Sequence, residues 1–181
     1  MAKFFKALDD KLNAFIAEQN VFFVASAPAK GGHVNLSPKG GDTFRLLGPN
    51  RACYLDLTGS GNETAAHLID NGRLTIMFCS FIRLAQILRL FGTGRVVGKK
   101  HPDWDGLCAL FPDYPGRRQI VVIDIDLVQT SCGYQVPLMD FAGERDTLAK
   151  WAESKGPEGL IAYRSEKNAL SLDGLPTGIE E

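Results

Sequence analysis

The stretch RLTIMFCSFIRLAQILRLFGTGRVV, residues 73–97, decides the fold. It holds two apolar, β-like runs, 73–81 and 86–97, with only residues 82–85 between them. Parallel neighbours need a long crossover connection, usually a helix, whereas antiparallel strands can be joined by a short turn. Its longest apolar part, residues 74–91, contains Arg83, Gln86 and Arg89 and is therefore not typical of a membrane-spanning helix. The stretch predicts two antiparallel strands.

Similar runs lie on both sides of this stretch. VFFVASA (21–27), the Gly31-Gly32 turn, HVNLSP (33–38) and residues 45–57 are short, separated by glycine and proline, and predict hairpins. QIVVIDIDLVQTS (119–131) predicts a strand with one solvated face. On that strand we expect Val121, Ile123, Ile125 and Leu127 on one face and Val122, Asp124, Asp126 and Val128 on the other.

Helical periodicity is confined to four segments. Apolar residues from Phe4 to Ile16 predict an N-terminal helix of about four turns. Further helices are predicted at 62–71, at 102–111, and at 143–155 with Leu148 and Trp151 inward and an end at Gly156-Pro157. Strands outnumber helices, so we expect a mostly β protein, an antiparallel β-barrel with peripheral helices. No linker divides the chain, which predicts one domain over residues 1–181, with a barrel core at 21–136 and a C-terminal helix and tail at 137–181.

Composition excludes several classes of function. The 20 basic and 21 acidic side chains give a net charge of −1, which argues against a nucleic-acid partner. Charged residues break up MAKFFKALDDKL, so it is not a signal peptide, and we expect no membrane association. The four cysteines are scattered, which favours a cytoplasmic location over a disulfide scaffold, and His33, His67 and His101 are isolated, so no metal site is expected.

The segment YLDLTGSGNETAAHL, residues 54–68, has the architecture of a phosphate site. A strand leads through a glycine-containing loop into a helix, where first-turn N–H groups and the helix dipole favour an anion. The alternative is a helix start capped by Ser60 or Asn62 without a ligand. A dinucleotide fingerprint is excluded because Thr64 takes the place of its third glycine. The side-chain donors for a phosphate would be Thr58, Ser60, Asn62 and Thr64.

Three other groups are candidates for a site. Lys39, at the end of NLSPKGG, suits an anion or a ring heteroatom, or is an ordinary loop lysine. Arg89 has apolar neighbours, so its charge should meet a ligand, a partner subunit or an acid such as Asp56. The segment SCGYQVP, 131–137, could line a pocket or simply end a strand, and nothing in the spacing makes Cys132 a nucleophile.

Taken in order, these motifs resemble the flavin-binding split-barrel family related to pyridoxamine 5′-phosphate oxidase, over about residues 21–97. The resemblance implies a six-stranded antiparallel split barrel and a homodimer with FMN at the subunit interface. It also implies that the strand at 34–39 lies along the flavin and that residues 58–64 hold the phosphate. The cofactor-binding residues would be Asn35, Ser37, Lys39, Thr58, Ser60, Asn62, Thr64 and Arg89.

Two departures from the oxidase bear on activity. Asn62-Glu63-Thr64 stands where that enzyme has an Arg-Lys pair, and no arginine-rich segment follows Val136. We therefore expect an FMN-dependent oxidoreductase with a different small-molecule substrate or electron donor, not an oxidase of pyridoxamine phosphate. The alternatives are a non-catalytic flavin-binding homodimer that serves as sensor or store, the same barrel with a deazaflavin or haem, and a structural dimer without a ligand.

Overall fold

The chain forms one curled antiparallel sheet with four helices around it. A computed structural model describes residues 2–179. Within this range the strands are β1 (Lys3–Phe5), β2 (Val21–Ser26), β3 (Asn35–Gly40), β4 (Phe44–Gly48), β5 (Arg51–Leu57), β6 (Arg73–Cys79), β7 (Gln86–Val97) and β8 (Arg117–Cys132). The helices are α1 (Asp10–Ala17), α2 (Glu63–Asn71), α3 (Trp104–Cys108) and α4 (Thr147–Lys167).

The sheet order confirms the predicted mostly β antiparallel fold. The strands follow the order β3-β2-β6-β7-β8-β5-β4, and β1 pairs with the end of β8. The sheet has eight strands within residues 2–179, whereas the resemblance implied six. The edge strands β3 and β4 are consecutive in the chain, with residues 41–43 between them, so the two ends of the sheet are connected directly.

The N-terminal helix is shorter than predicted. Lys3–Phe5 is a strand paired with Val128–Thr130, and helix α1 begins only at Asp10. Asp9 is the N-cap residue of α1, since its carboxylate accepts a hydrogen bond from the N–H of Leu12 at 2.9 Å. The extended segment therefore ends at Asp9. The apolar spacing of the first residues fits either structure, and β-sheet pairing to a distant strand cannot be read from it.

Strand β8 does not keep the predicted alternation along its whole length. Residues Ile123 and Ile125 are buried and Asp124 is exposed, as expected, but Leu127 is 36% exposed and Val128 is fully buried. The pairing with β7 shifts register between Phe91 and Gly92. An extra residue in one strand reverses the faces that all later side chains occupy, which accounts for the exchange.

Two apolar clusters hold the sheet together. The larger one joins α1 to the inner face of the sheet, and the smaller one places Cys108 and Phe111, from α3 and the turn after it, against β5, β7 and β8. Val122 was predicted on a solvated face and is buried because the smaller cluster covers it. Burying one large aliphatic side chain contributes about 1.5–3 kcal/mol. The central strands β5 and β8 are thus fixed on both faces, which makes them a rigid support for the loop after β5.

The C-terminal helix α4 continues beyond its predicted end. Gly156 interrupts it with a φ of 67°, and Pro157 starts a second helical part that runs to Lys167. Leu148 is 41% exposed, so the prediction that it points inward is wrong, and Ala152 is buried instead. No helix within residues 2–179 is both long and apolar enough to cross a membrane.

Candidate functional site

A polar cavity of about 350 Å³ lies between the edge strand β3 and the start of helix α2. Strand β5 ends at Leu57 and leads through residues 58–62 into the helix, so the loop is set by a buried strand on one side and a helix on the other. Six of the eight predicted cofactor-binding residues line this cavity. They are Asn35, Ser37, Lys39, Ser60, Asn62 and Thr64.

Strand β3 supplies one wall. Alternate residues of a strand share a face, which puts Asn35, Ser37 and Lys39 on the side toward the cavity. The side chain of Asn35 donates to Thr64 Oγ1 at 3.1 Å, and the hydroxyl of Ser37 donates to Asn35 Oδ1 at 3.1 Å. The first of these bonds joins β3 to the first turn of α2, 29 positions further along the chain, and the second orients Asn35 within β3.

The start of α2 is open to a ligand. Asn62 is the N-cap residue, but its side chain makes no capping hydrogen bond. Its Oδ1 accepts from Gln119 Nε2 at 2.7 Å, while its Nδ2 is buried and has no hydrogen-bond partner within residues 2–179. A buried amide without a partner costs about 1–3 kcal/mol. The alternative was a helix start capped by Ser60 or Asn62, and within residues 2–179 neither side chain makes a capping hydrogen bond.

The carboxylate of Glu63 occupies part of the same helix terminus. Its Oε2 accepts a hydrogen bond from the N–H of Asn62 at 3.0 Å. A Cβ at position 61 would lie 2.8 Å from Glu63 Oε1, so glycine makes room for this carboxylate. A negative side chain here is stabilised by the helix dipole, and it competes with any anionic ligand for the same N–H groups.

A buried cluster of charges forms the floor of the cavity. The carboxylate of Asp56 accepts from Lys39 Nζ at 2.6 Å, from Arg118 Nη2 at 2.6 Å and from Gln119 Nε2 at 2.9 Å. Burial by itself would raise the pKa of Asp56, but the charges of Arg118 and Lys39 outweigh it and hold the pKa below its usual range. Asp56 is therefore an anion that positions these donors.

Arg118 connects this cluster to the C-terminal part of the chain. Its Nη1 donates to the carbonyl oxygen of Gly61 at 2.9 Å and to Asn168 Oδ1 at 2.8 Å. Asn168, which follows α4, in turn donates to the carbonyl oxygen of Gly59 at 3.0 Å. The loop after β5 is therefore held by residues 57 to 109 positions away in the sequence.

Sequence reasoning did not identify this support. Asp56 was considered only as a partner of Arg89, and Arg118 and Asn168 were not singled out. The available signal for Arg118 was its place at the start of a strongly apolar run, where a charged side chain needs a partner. Nothing in the sequence marks Asn168, because its role depends on how α4 packs.

Two predicted residues lie outside the cavity. Thr58 is 1% exposed, and its hydroxyl donates to the carbonyl of Gly116 at 2.9 Å and accepts from Arg164 at 3.2 Å. Arg89 lies on the outer face of β7, where its Nη1 donates to Ser131 Oγ at 3.1 Å. The alternative that Arg89 pairs with Asp56 is wrong, because Lys39 and Arg118 hold that carboxylate.

The hydrogen-bond donors of the cavity fit a phosphate-bearing ligand. Hydroxyl and amide side chains line one cavity at the start of a helix, where the first-turn N–H groups favour an anion. Its charged groups balance, since Lys39 and Arg118 face Asp56 and Glu63. A phosphate would therefore depend on hydrogen bonds and the helix terminus more than on excess positive charge.

A second cavity of about 560 Å³ adjoins the first and shares Pro38, Lys39 and Leu57 with it. Its other walls come from residues 18–21 after α1, the turn after β3, Phe81 and Ile82, Tyr114, and residues 139–149. Tyr134, in the 131–137 segment, is 80% exposed. Within residues 2–179 no group of three or more His, Cys, Asp or Glu side chains could hold a metal ion, and all four cysteines are free.

Comparison with known proteins identifies the family. The sequence pattern of the pyridoxamine 5′-phosphate oxidase family matches residues 8–132, which is more than half of the chain. The chain belongs to this family. The match ends at the last residue of β8, so α4 and Asn168, which supports the loop, lie outside the part that defines the family.

Individual relatives agree with this assignment. The chain is 40% identical over 193 aligned residues to the pyridoxamine 5′-phosphate oxidase family protein ustO of Aspergillus flavus, and the alignment covers 97% of this chain and 78% of that protein. Among solved structures, HupZ from Group A Streptococcus has a TM-score of 0.53 at 21% identity, covering 66% of this chain and 91% of that one. A putative pyridoxamine 5′-phosphate oxidase from Lactobacillus delbrueckii has a TM-score of 0.55 at 18% identity, covering 68% and 94%. These structures support the fold.

Proposed function

We propose that the protein is an FMN-dependent oxidoreductase that works as a homodimer. The observation that carries the proposal is the polar cavity between β3 and α2, where hydroxyls and amides surround a helix start whose N-cap residue, Asn62, makes no capping hydrogen bond. Membership of the pyridoxamine 5′-phosphate oxidase family supports a flavin as the cofactor. When bound, the flavin ring supplies the hydride or electron chemistry, and the protein supplies orientation and electrostatics.

Different residues of the cavity would bind different parts of the cofactor. Ser60, Asn62 and Thr64, at the helix start, would bind the phosphate through hydroxyl, amide and backbone N–H donors. Ser37 and Lys39 would face the ring or the ribityl chain. The ion pair with Asp56 fixes the ammonium of Lys39 in one position, so it would act as an oriented donor.

The outer face of the sheet supports the proposed dimer. Across β2, β6, β7, β8 and β1 a row of side chains faces away from the core, and none of them is buried in the single chain. A row that is largely apolar with one arginine at its centre is suited to a partner subunit. The row consists of Phe23, Met77, Arg89, Gln129 and Phe4.

Titration of the full-length protein with FMN and with riboflavin tests the proposal. We expect a yellow protein or one that binds FMN, with FMN bound more tightly than riboflavin because riboflavin lacks the phosphate. Replacing Asn62 or Thr64 with alanine should weaken FMN binding by roughly ten-fold while riboflavin binding changes little. Thr93→Ala, at an exposed position of β7, is the control.

Two results would reject FMN binding at this cavity, and a third would reject the catalytic role. One is a colourless protein whose melting temperature and whose effect on flavin fluorescence are both unchanged by FMN. The other is a loss of stability in the Asn62 and Thr64 variants without a loss of FMN affinity, which is the behaviour of a helix cap. A protein that binds FMN but shows no turnover of NADH or NADPH with any acceptor would be a flavin store or sensor.

A further inference from the structure

The second cavity, of about 560 Å³, has an apolar interior. Three aromatic side chains, Phe81, Tyr114 and Phe141, line it together with aliphatic ones. The hydroxyl of Tyr114 donates to the carbonyl of Gly41, which fixes this ring as part of the wall. The pocket therefore provides flat apolar surfaces, which is what an aromatic ligand needs.

The roof of this cavity is formed by a segment that is mostly exposed. Residues 137–148, here called the arm, lead from the end of the sheet to the first turn of α4, and all of them are exposed. The N–H of Met139 donates to the carbonyl of Phe81 at 2.9 Å and anchors the arm over the cavity. Met139 and Phe141 are 57% and 56% exposed although they line it. Apolar surface of this kind remains accessible to a ligand.

The charged side chains that line the cavity are mostly negative. Glu18, Asp140 and Glu144 line it, against Arg145 and Lys39. Lys39 is already paired with Asp56 at 2.6 Å, whereas none of the three carboxylates has an ion pair within residues 2–179. Negative groups around an apolar pocket attract cations and repel phosphates and carboxylates.

Continuity with the polar cavity points to a role in the reaction. The two cavities share Pro38, Lys39 and Leu57, so a molecule in the apolar one lies next to a cofactor held in the polar one. We propose that the apolar cavity binds the substrate, an aromatic compound that is neutral or carries an amine, and that it rejects phosphorylated or carboxylated compounds. The role as a substrate site rests on the proposed FMN function.

A pair of probes with the same ring tests the charge preference. The full-length protein is saturated with FMN and titrated with 2-naphthylmethylamine and with 2-naphthoate, each followed by naphthalene fluorescence. We expect the amine to bind at least ten-fold more tightly than the acid. Asp140→Asn and Glu144→Gln should each reduce this ratio, and Leu148→Gln should weaken both probes. Leu138→Ser changes an arm residue that does not line the cavity and should leave both affinities unchanged.

Four results would overturn this inference. The first two are equal or tighter binding of 2-naphthoate and no binding of either probe. The third is displacement of FMN by the amine, which would assign the cavity to the flavin. The fourth is conversion of a dimer to a monomer by Leu148→Gln in sedimentation, which would assign the surface to a second copy. The FMN titration is read separately. A protein that binds the amine but not FMN keeps the ligand site and loses the proposed function.

Discussion

Asp56 and Arg118 form a buried ion pair, with Arg118 Nη2 2.6 Å from Asp56 Oδ2 and both side chains at most 5% exposed. The pair joins adjacent strands, β5 and β8, directly below the loop that begins α2. Arg118 also binds the carbonyl oxygen of Gly61 in that loop. The stability of the sheet and the shape of the candidate site therefore depend on the same two charges.

Asp56→Ala should destabilise the protein by about 3–5 kcal/mol, because it leaves the guanidinium of Arg118 buried without its counter-charge. Urea unfolding at pH 7 measures the change. Asp124→Ala is the matched control, since it removes the partner of Arg51 from an exposed pair and should cost no more than about 1 kcal/mol. Equal losses in the two variants would show that the buried pair contributes no more than a surface one.

The strands could be predicted from sequence because their signals are local. The alternation and turn residues around Gly31-Gly32 gave the β2–β3 hairpin, and the short gap at 82–85 gave the β6–β7 pair. The faces of Leu127 and Val128 were assigned wrongly because the register shift opposite Gly92 depends on pairing between two strands. Such a shift leaves no periodic signal in either strand alone.

Only the polar residues that line the candidate site could be predicted from the sequence. Ser60, Asn62 and Thr64 were predicted from the glycine-containing loop and helix start, Lys39 from its place at a strand end, and Asn35 and Ser37 from the family resemblance, and all six line the cavity. The arrangement of the groups beneath them depends on contacts that span much of the chain. Arg118 and Asn168 are examples, since they meet Asp56 and Gly59 only after β8 and α4 have packed.

Glu63→Gln should strengthen FMN binding by roughly two- to five-fold. The amide keeps an oxygen that can accept from the N–H of Asn62, but it removes a negative charge that competes with a phosphate at the helix terminus. Isothermal titration of wild type and variant with FMN measures the change, with riboflavin as the ligand that should not respond. Asp105→Asn, at an exposed position of α3, is the protein control. Weaker FMN binding in Glu63→Gln would contradict the placement of the phosphate.

Asn168→Ala should weaken FMN binding and lower the free energy of unfolding by about 1–3 kcal/mol. The carbonyl oxygen of Gly59 and Nη1 of Arg118 each lose the hydrogen bond that they make with the Asn168 side chain. Leu172→Ala changes an exposed residue in the same tail and should affect neither quantity. Fluorescence titration and urea unfolding give the two values. Unchanged FMN affinity would mean that the C-terminal residues do not shape the loop.

Arg89→Glu should weaken the proposed dimer, because it reverses the charge at the centre of the outward row on the sheet. The bond from Arg89 to Ser131 is half-buried, so the cost to the single chain should be about 1 kcal/mol. Sedimentation velocity over a range of concentrations measures association. Arg51→Glu, away from this row, controls for the change in net charge. A variant that associates as strongly as wild type would place the dimer contact elsewhere.

Protonation of His67 should destabilise the protein in mild acid. The ring is fully buried in α2, with Nδ1 2.9 Å from Ser26 Oγ and no partner for Nε2 within residues 2–179. Burial lowers the pKa of His67, although the carboxylates of Glu63, Asp173 and Asp70 act in the opposite direction. Histidine in an unfolded chain titrates near about 6.5. The stability that neutral His67 provides is therefore present above that pH and is lost as the pH falls below it.

His67→Gln should reduce this pH dependence, because glutamine can still bind Ser26 but takes up no proton. A single site can contribute at most about 1.4 kcal/mol per pH unit. We expect the free energy of unfolding to fall less between pH 7 and pH 5 in the variant than in wild type. The control is His101→Gln, which leaves the buried imidazole of His67 in place and should keep the wild-type dependence of the free energy of unfolding on pH. Urea unfolding at pH 7, 6 and 5 provides the comparison, and parallel slopes for wild type and His67→Gln would mean that His67 can be protonated within the folded protein without cost.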